Sequence, residues 1–271
     1  MRCAAWAGIA AITTFGFILN ATGLGPQARL SGNPAESPRE DQLQQGYPTG
    51  EELFAKLVEH NLRREANLKY YSVSRHYCVR DRNDKVRAEL EGVMEYHAPG
   101  FKQFKVSSER GSSIVRRLVF GGIIDSETDA SNGRSHRDSS ITPANYILDV
   151  VGDEIVDGHP CLVAKATPRR KDKYLFEGKV WVDRIDFAIV KIEGKPARNP
   201  SFWVKKVEIV RRYQKIGEFW LPLRDETVSQ VRIVGKGTLT IDHQDYRILP
   251  SDESEVRNNE RNTDSVLPAA R

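Results

Sequence analysis

Residues 85–97 read KVRAELEGVMEYH, and their alternation decides the fold class. Val86, Ala88, Leu90, Gly92, Met94 and Tyr96 point one way. Lys85, Arg87, Glu89, Glu91, Glu95 and His97 point the other, with Val93 the one exception. A period of two with one wet and one apolar side is the pattern of an antiparallel strand covered on a single face. Turn residues bracket it. Asp81-Arg82-Asn83-Asp84 leads in from a strand over 70–80, and Pro99-Gly100 leads out to one over 101–108. Upstream, Thr49 and Glu52 have capping-box spacing, and Leu53, Phe54, Leu57, Val58 and Leu62 recur at helical spacing. The spacing predicts an amphipathic helix running to about residue 69.

Downstream the pattern breaks and then resumes. Residues 113–124 (SIVRRLVFGGII) read as a helix with Ile114, Leu118 and Val119 on one side, weakened by Gly121-Gly122. Residues 125–145 are polar and irregular. Strand signals then cover 146–154, 160–167, 174–184, 187–194, 203–215, 218–234 (broken at Pro222) and 236–247, joined by turn chemistry such as Val156-Asp157-Gly158 and Ile216-Gly217. About ten strands in succession with no βαβ alternation predict an α+β fold, one large antiparallel sheet around a helical insert.

The 271 residues divide unevenly. Residues 1–23 read as a secretory signal peptide: Arg2 supplies the charge, residues 3–19 the apolar run, and Ala21-Thr22-Gly23 the small residues of a cleavage site. An uncleaved anchor is the alternative, because such a run sits at the lower edge of a membrane span. Residues 24–48 read as a flexible linker, 49–250 as the domain and 251–271 as a disordered tail. Mean hydropathy of −0.52 excludes a polytopic membrane protein. A net charge of +4, with 29% charged residues, indicates neither a polyelectrolyte nor a nucleic-acid binder.

Catalytic signals are sparse. No nucleophile elbow, His-Glu-x-x-His, phosphate loop or zinc spacing occurs, and the six histidines are dispersed. No enzyme, cofactor or metal is implied. His76 and Cys78 share a strand face without a third ligand. Basic doublets, including Arg211-Arg212, read mostly as solvated faces, with attraction to anionic head groups as the functional alternative. Cys78 and Cys161 remain after signal removal, and an exported protein meets an oxidising compartment, so they are either a disulfide or two buried thiols.

The order of helix, strands, insert and strands resembles the LolA/LolB-like superfamily, including the N-terminal domain of RseB-type sensors. The strand Gly178-Lys179-Val180-Trp181-Val182-Asp183, turning into Phe187-Ala188-Ile189-Val190, resembles the Trp-x-Asp hairpin of that superfamily. Pro143-Ala144-Asn145-Tyr146, Ser201-Phe202-Trp203-Val204-Lys205 and Phe219-Trp220-Leu221-Pro222 resemble outer membrane lipoprotein-sorting proteins. The resemblance implies a strongly curved sheet, a half-open β-barrel with helices across its mouth and an apolar cavity for acyl chains. It implies a periplasmic carrier or binding protein for lipid or lipoprotein acyl chains. The alternative is an envelope sensor or scaffold of the same fold, partnered by an envelope membrane protein. A monomer with no nucleic-acid partner is expected. On that frame Leu90, Met94, Tyr96, Phe104 and Val106 are the candidate cavity lining. Leu53, Phe54 and Leu57 of the first helix, with Ile114 and Leu118 of the insert, are the candidate lid.

Overall fold

The computed structural model describes residues 46–98, 101–121, 140–172, 174–199, 204–231 and 235–249. The signal peptide, most of the linker, the Pro99-Gly100 turn and the tail therefore lie outside the described residues. No helix among those described is long and apolar enough to cross a membrane.

Helix α1 (Gly50–Asn67) opens the domain. Glu52 N–H donates to the Thr49 hydroxyl at 3.2 Å and Thr49 N–H to the Glu52 carboxylate at 2.8 Å, so the capping box forms and satisfies two otherwise orphaned amides. Strands β1 (Tyr70–Asp81), β2 (Val86–His97) and β3 (Phe101–Gly111) follow. Between β1 and β2, the Asp81 carboxylate accepts from the N–H of Asn83 and of Lys85, and Asp84 takes a positive φ. The insert is a short helix α2 (Ser113–Val115) that loosens into a π-helical segment, Arg116–Gly121. It replaces the regular helix expected over 113–124. Strands β4 (Tyr146–Val156), β5 (His159–Pro168), β6 (Phe176–Asp183), β7 (Ile189–Pro196), β8 (Val204–Ile216), β9 (Phe219–Val231) and β10 (Gly235–Leu249) complete the chain.

All ten strands form one antiparallel sheet in the order β3-β2-β1-β10-β9-β8-β7-β6-β5-β4. It is curved and not closed, with β3 and β4 as its free edges. β9 is not broken at Pro222. The ladder with β8 shifts register there, and pairing with β10 stops at Arg224, so a proline that cannot donate stands clear of the β10 ladder.

Residues directly opposite in an antiparallel ladder share a face. One row can therefore be followed across eight strands: Ala164, Val180, Ile192, Arg211, Asp225, Ile241, Tyr77 and Leu90. This is the inner face, covered by α1 and the insert. Under α1, Leu53, Phe54 and Leu57 pack with Leu148, Leu162, Val180, Val182 and Ile192. Under the insert, Val115 and Phe120 pack with Tyr77, Val79, Leu90, Leu239 and Ile241.

Candidate functional site

The inner face has apolar wings and a charged centre. At the centre Arg211 Nε donates to Asp225 Oδ1, and His243 Nε2 lies 3.1 Å from Asp225 Oδ2. Arg75 stands opposite His243 and its Nη1 donates to the Tyr77 hydroxyl at 3.2 Å. All of these side chains are buried. Burial raises the Asp225 carboxyl, but Arg211 and His243 more than reverse this and hold it well below the ordinary carboxylate range. Burial likewise keeps His243 below its ordinary value, against the pull of Asp225. Arg211 therefore departs from the solvated-face reading of the Arg211-Arg212 doublet. Its place was legible only in the alternation Val207, Ile209, Arg211, Tyr213, which puts it inward.

The expected lining residues separate. Leu90 lies beneath the insert. Met94 and Tyr96 are buried in a neighbouring cluster with Leu68, Tyr71, Val73 and Leu221. Phe104 is half-buried and bridges the two clusters. Its ring occupies the space above Gly92, where an added Cβ would sit 2.5 Å from it. Val106 does not join them. It is 48% exposed, because β3 is an edge strand and bulges against β2 at this point.

The expected lid departs at Ile114. Ile114 is 51% exposed, and among the described insert side chains Val115 and Phe120 turn inward. A loosened helix shifts which positions face the sheet. The Leu118 side chain lies outside the described residues. On α1, Leu53, Phe54 and Leu57 are buried as expected, whereas Leu62 is exposed. Asn61 and Glu65 continue the inward stripe instead. Burial pushes the Glu65 carboxyl up to about 7, with Arg64 pulling the other way.

Cys78 and Cys161 are both free, buried thiols. They stand on β1 and β5, between which β10, β9, β8, β7 and β6 intervene. A bridge needs Cα atoms within about 7 Å, so the disulfide alternative is not the one seen here. Compartment and an even cysteine count favoured it, and neither carries information on strand order. Burial lifts the Cys161 thiol to about 11, far from a reactive thiolate.

The described motif residues brace the scaffold, while Ser201, Phe202 and Trp203 lie outside the described residues. Asp183 of the Trp-x-Asp strand accepts from the N–H of Ile185 and Asp186 and receives His159 Nδ1 at 3.2 Å, fixing the β6–β7 turn. Trp220 donates to Asp186 at 2.8 Å, Asn145 donates to Ser140 O, and the Tyr146 hydroxyl accepts from Phe176 N–H. Glu193 meets Lys191 at 2.6 Å. Among the described residues no three His, Cys, Asp or Glu side chains gather as a metal-ligand set. Where β7 and β8 part beyond Gly194 and Ile209, an open groove of about 530 Å³ is lined by Lys179, Lys195, Lys205, Glu177 and Glu208 among others.

No family model and no curated protein matches the chain. Solved structures do. One is described as an outer membrane lipoprotein-sorting protein domain, from Vibrio parahaemolyticus. It is 12% identical with a TM-score of 0.41, covering 77% of this chain and 98% of that one. A LolA superfamily protein from Nitrosomonas europaea is 12% identical with a TM-score of 0.36, covering 76% and 97%. The MucA/MucB complex of Pseudomonas aeruginosa matches at 12% identity and a TM-score of 0.27, covering 76% and 96%. At these scores the likenesses carry no argument about this chain's function, and the fold stands on its own strand order and pairing. The chain is thus similar to the lipoprotein-sorting, LolA and MucB structures that its sequence order resembles.

Proposed function

We propose that this chain is a periplasmic binding protein that takes the acyl chains of a lipid or lipoprotein against its inner face, with the insert as a removable cover. One observation carries the reading. The insert buries only two described side chains, Val115 and Phe120, over a patch formed by Tyr77, Val79, Ala88, Leu90, Leu239 and Ile241. A π-helical turn is rare and recurs at functional sites. Such a cover is cheap to lift, while an acyl chain gains about 0.8 kcal/mol per methylene buried. Residues 1–23 supply the export this function needs. The chemistry is binding and release, without a catalytic step.

A second reading, an envelope sensor or scaffold of the same fold that engages a membrane protein, draws on a different feature. The charged centre of the inner face interrupts the apolar path and suits a polar partner better than a chain of methylenes.

Phe120→Ala separates them. If the insert occupies the acyl site, removing this ring frees part of it, and the neutral apolar dye N-phenyl-1-naphthylamine binds about tenfold more tightly than to the wild type. Equal affinities, or binding by neither protein, would defeat the acyl reading.

A further inference from the structure

Helix α1 changes character halfway along its inward stripe. At four-residue spacing the stripe reads Leu53, Leu57, Asn61, Glu65. The two leucines belong to the main core. Asn61 Nδ2 and Glu65 Oε1 are also shut off from solvent, and neither has a hydrogen-bond partner among the described residues. The other amide atom of Asn61 is occupied, accepting from Arg64 Nη2 at 2.5 Å. The helix thus holds out one unused donor and one unused acceptor, a single turn apart.

Such atoms are costly. A buried polar group left unpaired bears its full desolvation cost, and native interiors keep few of them. A leucine at either position would continue the stripe without that penalty. The sheet below repeats the theme: His243 is 3% exposed, and its Nδ1 is unpartnered while Nε2 faces Asp225. Glu65 acts electrostatically on Tyr96, which places it toward the tyrosine-lined part of the inner face. There Tyr71 stacks on Tyr96 at 5.1 Å and approaches Tyr246 at 5.8 Å. Apolar ring faces beside an unused donor–acceptor pair suit a molecule that is greasy along its length and hydrogen-bonding at one end.

We infer that Asn61 and Glu65 hold the head of the acyl ligand, a neutral amide- or hydroxyl-bearing group that accepts from Asn61 Nδ2 and donates to Glu65 Oε1. This rests on the acyl-binding reading above and adds a specificity to it. A free fatty-acid carboxylate is disfavoured beside an ionised Glu65 carboxylate, because it has no proton to give and carries the same charge. A bare alkyl chain leaves both atoms unpaired.

The experiment compares N-dodecanoylethanolamine with pentadecane, an alkyl probe of similar length, each displacing the neutral dye N-phenyl-1-naphthylamine from the full mature chain. The wild type should prefer the amide by at least tenfold. The N61L/E65L double variant should lose that preference by about ten- to hundredfold, the equivalent of one or two unpaired buried polar groups. Its unliganded form should also melt above the wild type, since the unpaired atoms are gone. Glu65→Gln keeps an acceptor oxygen and should retain most of the preference. An unchanged preference in the double variant, or a lower melting temperature, overturns the inference. Wild-type binding of both probes without preference overturns it while leaving acyl binding intact, and binding of neither overturns both.

Discussion

Asp225→Ala should lower the stability of the domain by about 3–5 kcal/mol, the usual result of removing one partner from a buried ion pair. The loss is large because the carboxylate serves two groups at once, Arg211 through Nε and His243 through Nε2, and both are buried. Against a total of about 5–15 kcal/mol for a native protein, this takes a major share. For a domain of this size it corresponds to a fall in melting temperature of about 6–20 °C. The pH dependence follows the same chemistry. The Asp225 carboxyl lies well below its ordinary value of 3.8 in the folded chain, so its contribution is fully present above that value and is lost as the solution is acidified below it. Wild type should therefore lose stability below pH ~4 more steeply than the variant. Replacing both partners by apolar residues, as in R211M/D225L, should recover much of the loss. Calorimetry or denaturant melts of the three proteins check this. A single variant as stable as the wild type would show that the charged centre does not hold the strands together.

Two glutamates placed on the same inner face should have opposite fates. Val180→Glu puts a carboxylate at a position with no exposure, beneath α1 and among Leu53, Leu57 and Leu162. No water or counter-charge reaches it, and the expected cost of several kcal/mol should leave little folded protein. Leu90→Glu is equally buried at the surface of the sheet, but its cover is the insert. If that cover lifts, the carboxylate hydrates, the sheet survives, and acyl binding is lost. Circular dichroism and thermal melts beside a titration with N-phenyl-1-naphthylamine distinguish the two. Unfolding of Leu90→Glu to the same degree as Val180→Glu would make the insert part of a fixed core.

Much of this architecture was legible in the sequence because it rests on local signals. The two-residue alternation of 85–97 set β2 and its buried face, the Thr49–Glu52 spacing set the start of α1, and turn residues marked where strands ended. Arg211 and Asp225 were harder. Each is an ordinary polar residue on an alternating strand, and only the pairing of β8 with β9 brings them face to face. The same holds for Asn61 and Glu65. Leu62 looked inward on a helix read by its apolar residues, yet the helix sits rotated so that polar side chains follow Leu57. Ile114 failed because the insert is not a regular helix, and Val106 because an edge-strand bulge carries no signature in composition. Asp183 and Trp220, from the motifs that suggested a resemblance, brace the β6–β7 turn. They report how the sheet is held, and they say little about what it binds.

The most direct measurement of the central claim is native mass spectrometry with lipid extraction, on the protein purified from its own envelope. The account predicts a population carrying one bound species that releases an acyl-containing molecule on denaturation, depleted in Leu90→Glu. A wild-type spectrum that shows only the bare mature chain, with no acyl compound in the extract, would contradict it.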